Sequence, residues 1–139
     1  MRLLYSLLLV LCTFQVHASS WEDKLRATLP APLNAAIIGK STIKELESRM
    51  GKPHLVEGSK RYWIKDGLKY AVVLTFKNNK LSTIHYTFTS NKPSVDIIYA
   101  DISKKSFEPY NTTYFIHRSA STEVVIDPNS KTIYSVRIK

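Results

Sequence analysis

Three histidines, His54, His85 and His117, lie beyond residue 18, and no two are close in sequence. The spacings that hold a metal, H-x-H, H-x3-H and H-E-x-x-H, are absent. Each histidine therefore reads as an ordinary surface or half-buried side chain. Among the carboxylates, Glu45 and Glu47 fall on one expected helix but on different faces of it, and Asp66 and Asp127 fall at turns, where Asp is favoured for backbone reasons. Glu57, Glu108 and Glu123 have no evident partner in sequence. A glycosidase-type pair needs two carboxylates facing across a cleft, and nothing in the sequence calls for one. Serine and threonine are abundant but no G-x-S-x-G occurs, and four glycines cannot build a phosphate-cradling loop. Asn111-Thr112-Thr113 is a glycosylation sequon that matters only in a eukaryotic secretory route. The expectation is no enzyme, no cofactor and no metal. A hydrolase, the weakest alternative, would need a cleft that gathers two carboxylates, or a Ser–His pair.

What remains is a set of aromatic and basic residues on expected strands. Residues 61–70 read RYWIKDGLKY, an Asp-Gly pair between two short runs of β-formers, which is a hairpin signal. Alternation puts Tyr62 and Ile64 on one side of the first run and Arg61, Trp63 and Lys65 on the other. A tryptophan flanked by two cations suggests a surface that binds something.

The elements that must carry these residues follow from periodicity. Ser20 and Asp23 form a capping pattern for a short helix with Trp21 and Leu25 on one face, ended by Pro30-Ala31-Pro32. Residues 33–40 read as a second short helix. Thr42 and Glu45 form a capping box, and Ile43, Leu46 and Met50 make an apolar stripe. Gly51 and Pro53 end that helix. Strands are expected near 60–65, 68–76 and 81–88, with turns at Asp66-Gly67 and Lys77-Asn78-Asn79-Lys80. Leu68, Tyr70, Val72, Leu74 and Phe76 share one face of the middle strand; Ile84, Tyr86 and Phe88 share one face of the next.

The second half echoes the first at a gap-free offset of 52 residues. Thr42 falls on Ser94; Ile43, Leu46 and Met50 on Val95, Ile98 and Ile102; Tyr62-Trp63-Ile64 on Tyr114-Phe115-Ile116; and Leu81, Ile84 and Tyr86 on Ile133, Val136 and Ile138. This pattern predicts a tandem duplication. Each unit is one helix and a three-stranded meander, too thin a core alone. Two units joined give an α+β domain with one antiparallel sheet and both helices on one face. The expected organisation is a leader over 1–18, an N-terminal helical segment over 19–40, and one domain over 41–139 made of repeats 41–90 and 93–139.

Gly39-Lys40-Ser41-Thr42 ahead of the helix, Gly51-Lys52-Pro53 behind it, then a meander carrying Tyr62-Trp63 and the strand 68–76, resemble the β-lactamase-inhibitor-protein-like fold. The small outer-membrane-assembly lipoproteins of the BamE (SmpA/OmlA) type share that layout. The resemblance covers residues 39–88 directly and 94–139 through the repeat. It implies a non-enzymatic protein that binds other proteins; in the inhibitor proteins, a tandem pair presents one sheet face to an enzyme. The chain departs from the lipoproteins at the anchor. Leu11, not a small residue, precedes Cys12, the sole cysteine.

Arg2, the apolar residues 3–14 and the Val16-His17-Ala18 ending form a secretory leader, too short to span a bilayer. Cleavage after Ala18 leaves 121 residues without cysteine, which fits a bacterial periplasmic or secreted protein. Nineteen basic residues then face eleven acidic ones, a net charge of +8. Acidic proteins, phospholipid headgroups and cell-wall polymers are the natural partners. Export argues against nucleic acid.

Strand parity assigns the uncovered sheet face Arg61, Trp63, Lys65, Lys69, Val73, Thr75, Thr83 and His85 from the first unit. From the second it assigns Phe115, His117, Glu123, Val125, Ser135 and Arg137. Aromatic rings and Arg dominate binding hot spots, so Arg61, Trp63, Lys65, Phe115 and Arg137 are the expected anchors for a protein partner, one that carries acidic groups. The competing expectation is that the N-terminal segment, with Trp21 and Ile37-Ile38, covers Trp63. The alternative function is charge-driven binding to anionic lipid or cell-wall polymer.

Overall fold

A computed structural model of the chain describes residues 20–65 and 68–139, without the side chains of Lys65 and residues 68–70. The expected leader and the Asp66-Gly67 turn lie outside the described residues. Ser20 caps α1 (Trp21–Thr28), its hydroxyl accepting from the Asp23 amide at 3.3 Å. Leu25 and Leu29 are buried and Trp21 packs against the core from its edge. The second short helix expected over 33–40 is a single 3-10 turn, Leu33–Ala35. The chain there is drawn onto the sheet instead: the Gly39 amide donates to the Leu81 carbonyl at 2.7 Å.

α2 (Ile43–Met50) carries the full capping box, Thr42 and Glu45 each bonding the other's backbone amide. Gly51 ends it at φ +79°, a conformation side-chain-bearing residues rarely adopt. Four strands follow: β1 (Leu55–Glu57), β2 (Lys60–Lys65), β3 (Leu68–Lys77) and β4 (Lys80–Thr87). Asn78 and Asn79 take positive φ in the two-residue turn between β3 and β4, as a hairpin of this length requires. The second half has α3 (Asp96–Tyr99), then β5 (Glu108–Pro109), β6 (Phe115–Arg118), β7 (Thr122–Asp127) and β8 (Thr132–Ile138). The stripe of Val95, Ile98 and Ile102 is buried as expected, but its helix has only four residues and no side-chain cap.

The fold is α+β. One antiparallel sheet of eight strands runs β1-β2-β3-β4-β8-β7-β6-β5, so the two halves join through β4 and β8 and mirror each other in order. Each half has four strands rather than three, the extra ones being short edge strands. The helices lie on one face, where Leu74, Leu81, Ile84, Val124, Ile133 and Val136 are almost fully buried. Each such side chain contributes roughly 1.5–3 kcal/mol of transfer free energy.

The halves match at more than one offset. Thr42 bridges Lys80 and Ser94 bridges Thr132, so the second bridge repeats the first 52 residues further on. Beside a bulge, Phe76 pairs Leu81 and Ile126 pairs Ile133, so β7 follows β3 by 50. Arg61 faces Leu74 and His117 faces Val124, so β6 follows β2 by 56. Pairing thus makes Ser119, opposite Thr122, the counterpart of Trp63, and the equivalence of Trp63 with Phe115 does not hold.

Candidate binding face

Two adjacent rows of paired residues cross the six long strands, one on each side. The inner row runs Trp63, Val72, Tyr86, Val136, Val124 and His117, under the helices. The outer row runs Tyr62, Val73, His85, Arg137, Glu123 and Arg118.

This geometry corrects the expected anchors. Trp63 is 7% exposed and belongs to the core, its indole N–H donating to the Gly51 carbonyl at 3.2 Å. The reason is register: residues directly opposed in a ladder point to one side, and Trp63 opposes the buried Val72. The end of α2 meets Trp63 through the Gly51 bond, and the ring shares one core cluster with Leu46 of α2 and with Leu25, Leu29 and Leu33 of the N-terminal segment. Phe115 opposes Ile126 and packs against the same core, so it is no face residue either. Arg61 opposes the buried Leu74; its guanidinium reaches the edge, donating to the Gly58 carbonyl at 2.8 Å and lying 3.9 Å from Glu47 of α2. His117 is also inward, with the ring of Trp21 edge-on at 5.3 Å and Phe107 at 5.4 Å. Lys65 and Lys69 have side chains outside the described residues. Val73, Thr75, Thr83, His85, Glu123, Val125, Ser135 and Arg137 do lie on the side away from the helices.

Arg137 is exposed at the centre of that side, between His85 of β4 and Glu123 of β7. It makes no hydrogen bond or ion pair among the described residues. Glu123 is already engaged, by Lys139 at 2.8 Å and Arg118 at 3.7 Å. The Lys139 hydrogen bond above all, with the charges of Arg137 and Arg118, holds its carboxyl below the ordinary carboxylate value. Burial first, then the Arg137 charge, depresses the His85 pKa, which favours the neutral ring.

Two recesses share His85 and Arg137. One, of about 480 Å³, is walled by Lys60, Tyr62, Val73, Thr75, Thr83 and Lys139 as well. The other, of about 210 Å³, adds Tyr110, Ile116, Arg118, Glu123, Val125 and Ser135. Hydroxyls, an imidazole and a free guanidinium can orient and neutralise an anionic group, the guanidinium through two parallel hydrogen bonds.

A Ser–His pair does exist elsewhere. The Ser106 hydroxyl lies 3.2 Å from His117 Nδ1. That hydroxyl donates to the Ser103 carbonyl at 2.7 Å, inside a 3-10 turn. With its proton committed there, the hydroxyl is left to accept from His117, in the tautomer that carries its proton on Nδ1. A nucleophile would hold the opposite polarity, with its own proton on the base. Among the described residues no three His, Cys, Asp or Glu side chains group to hold a metal, and no helix is long and apolar enough to cross a membrane.

No known protein family matches the chain. No curated protein matches it either. Among solved structures it is similar to a cysteine-rich secretory protein from Staphylococcus aureus, with 18% identity and a TM-score of 0.43, over 72% of this chain and 42% of that one. The chain thus spans less than half the length of that protein.

Proposed function

We propose that this chain is an exported, non-catalytic binding protein that docks a protein partner on the open face of its sheet. Export rests on the leader pattern of residues 1–18. The observation that carries the docking reading is Arg137: a guanidinium at the centre of an uncovered sheet, left unpaired among the described residues while Glu123 beside it is bonded to other cations. An exposed Arg over recessed hydroxyls and a half-buried histidine is the residue make-up of a contact patch. The second reading, adhesion to anionic lipid or cell-wall polymer, is favoured by the formal net charge of +9.

Two charge reversals separate these readings, because each changes net charge by the same amount. Arg137→Glu alters the open face; Arg49→Glu alters an exposed position on α2. Immobilised protein is challenged with extract of its own cells and the retained proteins are quantified, with circular dichroism confirming folding. Docking predicts loss with Arg137→Glu and retention with Arg49→Glu. Equal weakening by both, with binding that collapses as salt is raised, supports the charge reading instead.

A further inference from the structure

The two recesses of the open face differ in sign. The smaller one, over the second half, mixes Arg118 and Arg137 with Glu123. The larger one, over the first half, has Lys60, His85, Arg137 and Lys139 in its wall and no carboxylate. Clefts on the helix side are mixed as well: one joins Glu45 to Arg49, another Glu22 and Asp23 to Arg26. The nearby carboxylates are spoken for. Glu123 binds Lys139 and Arg118, and Glu57, on the edge strand, accepts from the Tyr62 hydroxyl at 3.2 Å. Lys60 and Arg137 make no ion pair among the described residues.

Resting on the docking reading, we propose that the occupant of the larger recess is an acidic polypeptide segment, one of whose carboxylates seats between Arg137 and Lys60. The arrangement supplies what a carboxylate needs. Arg137 offers a planar fork for both oxygens. Lys60 offers a mobile point charge, and the Thr75 and Thr83 hydroxyls, on paired residues of β3 and β4, offer neutral donors. The side chains of Val73, Thr75, Thr83 and His85 are half-buried, so the cations stand around a hollow rather than on a ridge. A headgroup plane meets cations that project from a surface. A side chain on a flexible strand enters a hollow of this volume, and the chain on either side of it can lie along the β3 and β4 hydroxyls.

The test uses hexaglutamate as probe, hexaglutamine as its neutral control and phosphatidylglycerol vesicles as the lipid arm. Amide shifts of the labelled chain are followed by NMR, and affinity by calorimetry. Hexaglutamate is expected to shift the amides of Lys60, Thr75, Thr83, His85 and Arg137, and hexaglutamine to leave them in place. Arg137→Gln is expected to weaken hexaglutamate binding about tenfold and Lys60→Gln about threefold, with Arg137→Lys between wild type and Arg137→Gln because it keeps charge but loses the fork. Hexaglutamate shifts that fall elsewhere or nowhere overturn the proposal. So do affinities within twofold of wild type for both glutamine variants, or vesicles that perturb the same amides at lower anion concentration. The two readings fail separately. If Arg137→Glu abolishes partner retention while hexaglutamate leaves the recess untouched, the face docks a partner that is not acidic. If hexaglutamate binds while Arg137→Glu retains every partner, the recess takes acid but is not the docking face.

Discussion

α2 covers the first half of the sheet with eight residues, whereas α3 offers the second half four, and α1, from before the repeated region, supplies the rest. Lys24 of α1 pairs with Asp101 at 3.1 Å just beyond α3, and Trp21 closes over His117. The same difference marks Trp63 and its counterpart by strand pairing. At Trp63 an indole fills the space under α2 and its N–H meets the Gly51 carbonyl that ends the helix. At the matching place in the second half stands Ser119, whose hydroxyl donates to Glu22 of α1. Two meanders with one strand order are thus finished by different means: a large side chain beneath a local helix in one, a distant helix held by polar contacts in the other. A four-residue helix cannot bury an apolar stripe as wide as the strands beneath it, so the chain had to bring another.

The largest expected effect breaks the first half. Trp63→Ala leaves a cavity and an unpaired Gly51 carbonyl, and costs about 3–5 kcal/mol in urea unfolding. Phe115→Ala, at a half-buried site, costs about half as much. Equal costs, or a Trp63 effect below about 1 kcal/mol, would undo the placement of Trp63 in the core. The second half should yield through α1. Trp21→Ala costs roughly 1–3 kcal/mol by loss of a partly buried ring, and it moves the NMR ring signals of His117, while Trp63→Ala leaves them in place in the folded fraction. If Trp21→Ala leaves them too, α1 does not close the second half.

The inward direction of Trp63 is legible in the sequence. With Asp66-Gly67 as a two-residue turn, Lys65 opposes Leu68, and the ladder keeps that pairing. Odd residues of β2 then share a side with even residues of β3, the side of Val72, Leu74 and Phe76. The basic residues on either side of Trp63 in sequence are the misleading signal, because two cations call for water. Arg61 meets both demands by running its aliphatic stem along the core edge and placing its guanidinium at the rim. Phe115 offers no such arithmetic. The connection from Arg118 to Glu123 contains no two-residue turn signal, and a single residue of slip changes the face of every side chain. The capping box of α2, the Asn78-Asn79 turn and the α+β class are readable because each rests on contacts local in sequence. The role of α1 is not, because it rests on contacts nearly a hundred residues apart.

The caps should rank the two helices. Thr42→Ala removes the hydroxyl half of a reciprocal pair, leaving the Glu45 carboxylate on the residue-42 amide, and costs about 1 kcal/mol. Ser94→Ala removes one bond to the Asp96 amide, 3.2 Å long, ahead of a helix whose own cap position is Val95, and costs a few tenths, roughly, of that. Chemical unfolding of the two variants side by side checks the order, and an equal cost would mean that α3 depends on its cap as α2 does.

The smallest effect falls where the halves meet. His85 of β4 opposes Arg137 of β8, and burial together with that guanidinium favours the neutral ring in the folded protein. Below its ordinary value of 6.5 the unfolded chain binds a proton that the folded chain resists, so stability falls as pH drops from there toward the depressed folded value. Glu123, on the other side of Arg137, acts in a separate window. Its lowered pKa adds stability that is complete above 4.5 and fades as pH falls below that, when the bonds to Lys139 are lost. Unfolding free energy measured against pH should therefore flatten below about 6.5 in His85→Gln and only below about 4.5 in Glu123→Gln. Arg137→Gln should weaken both slopes, since the one guanidinium depresses both groups. If it changes the acid limb at Glu123 and leaves the His85 limb as steep as before, burial alone sets the histidine, and the join between the halves is apolar packing rather than charge.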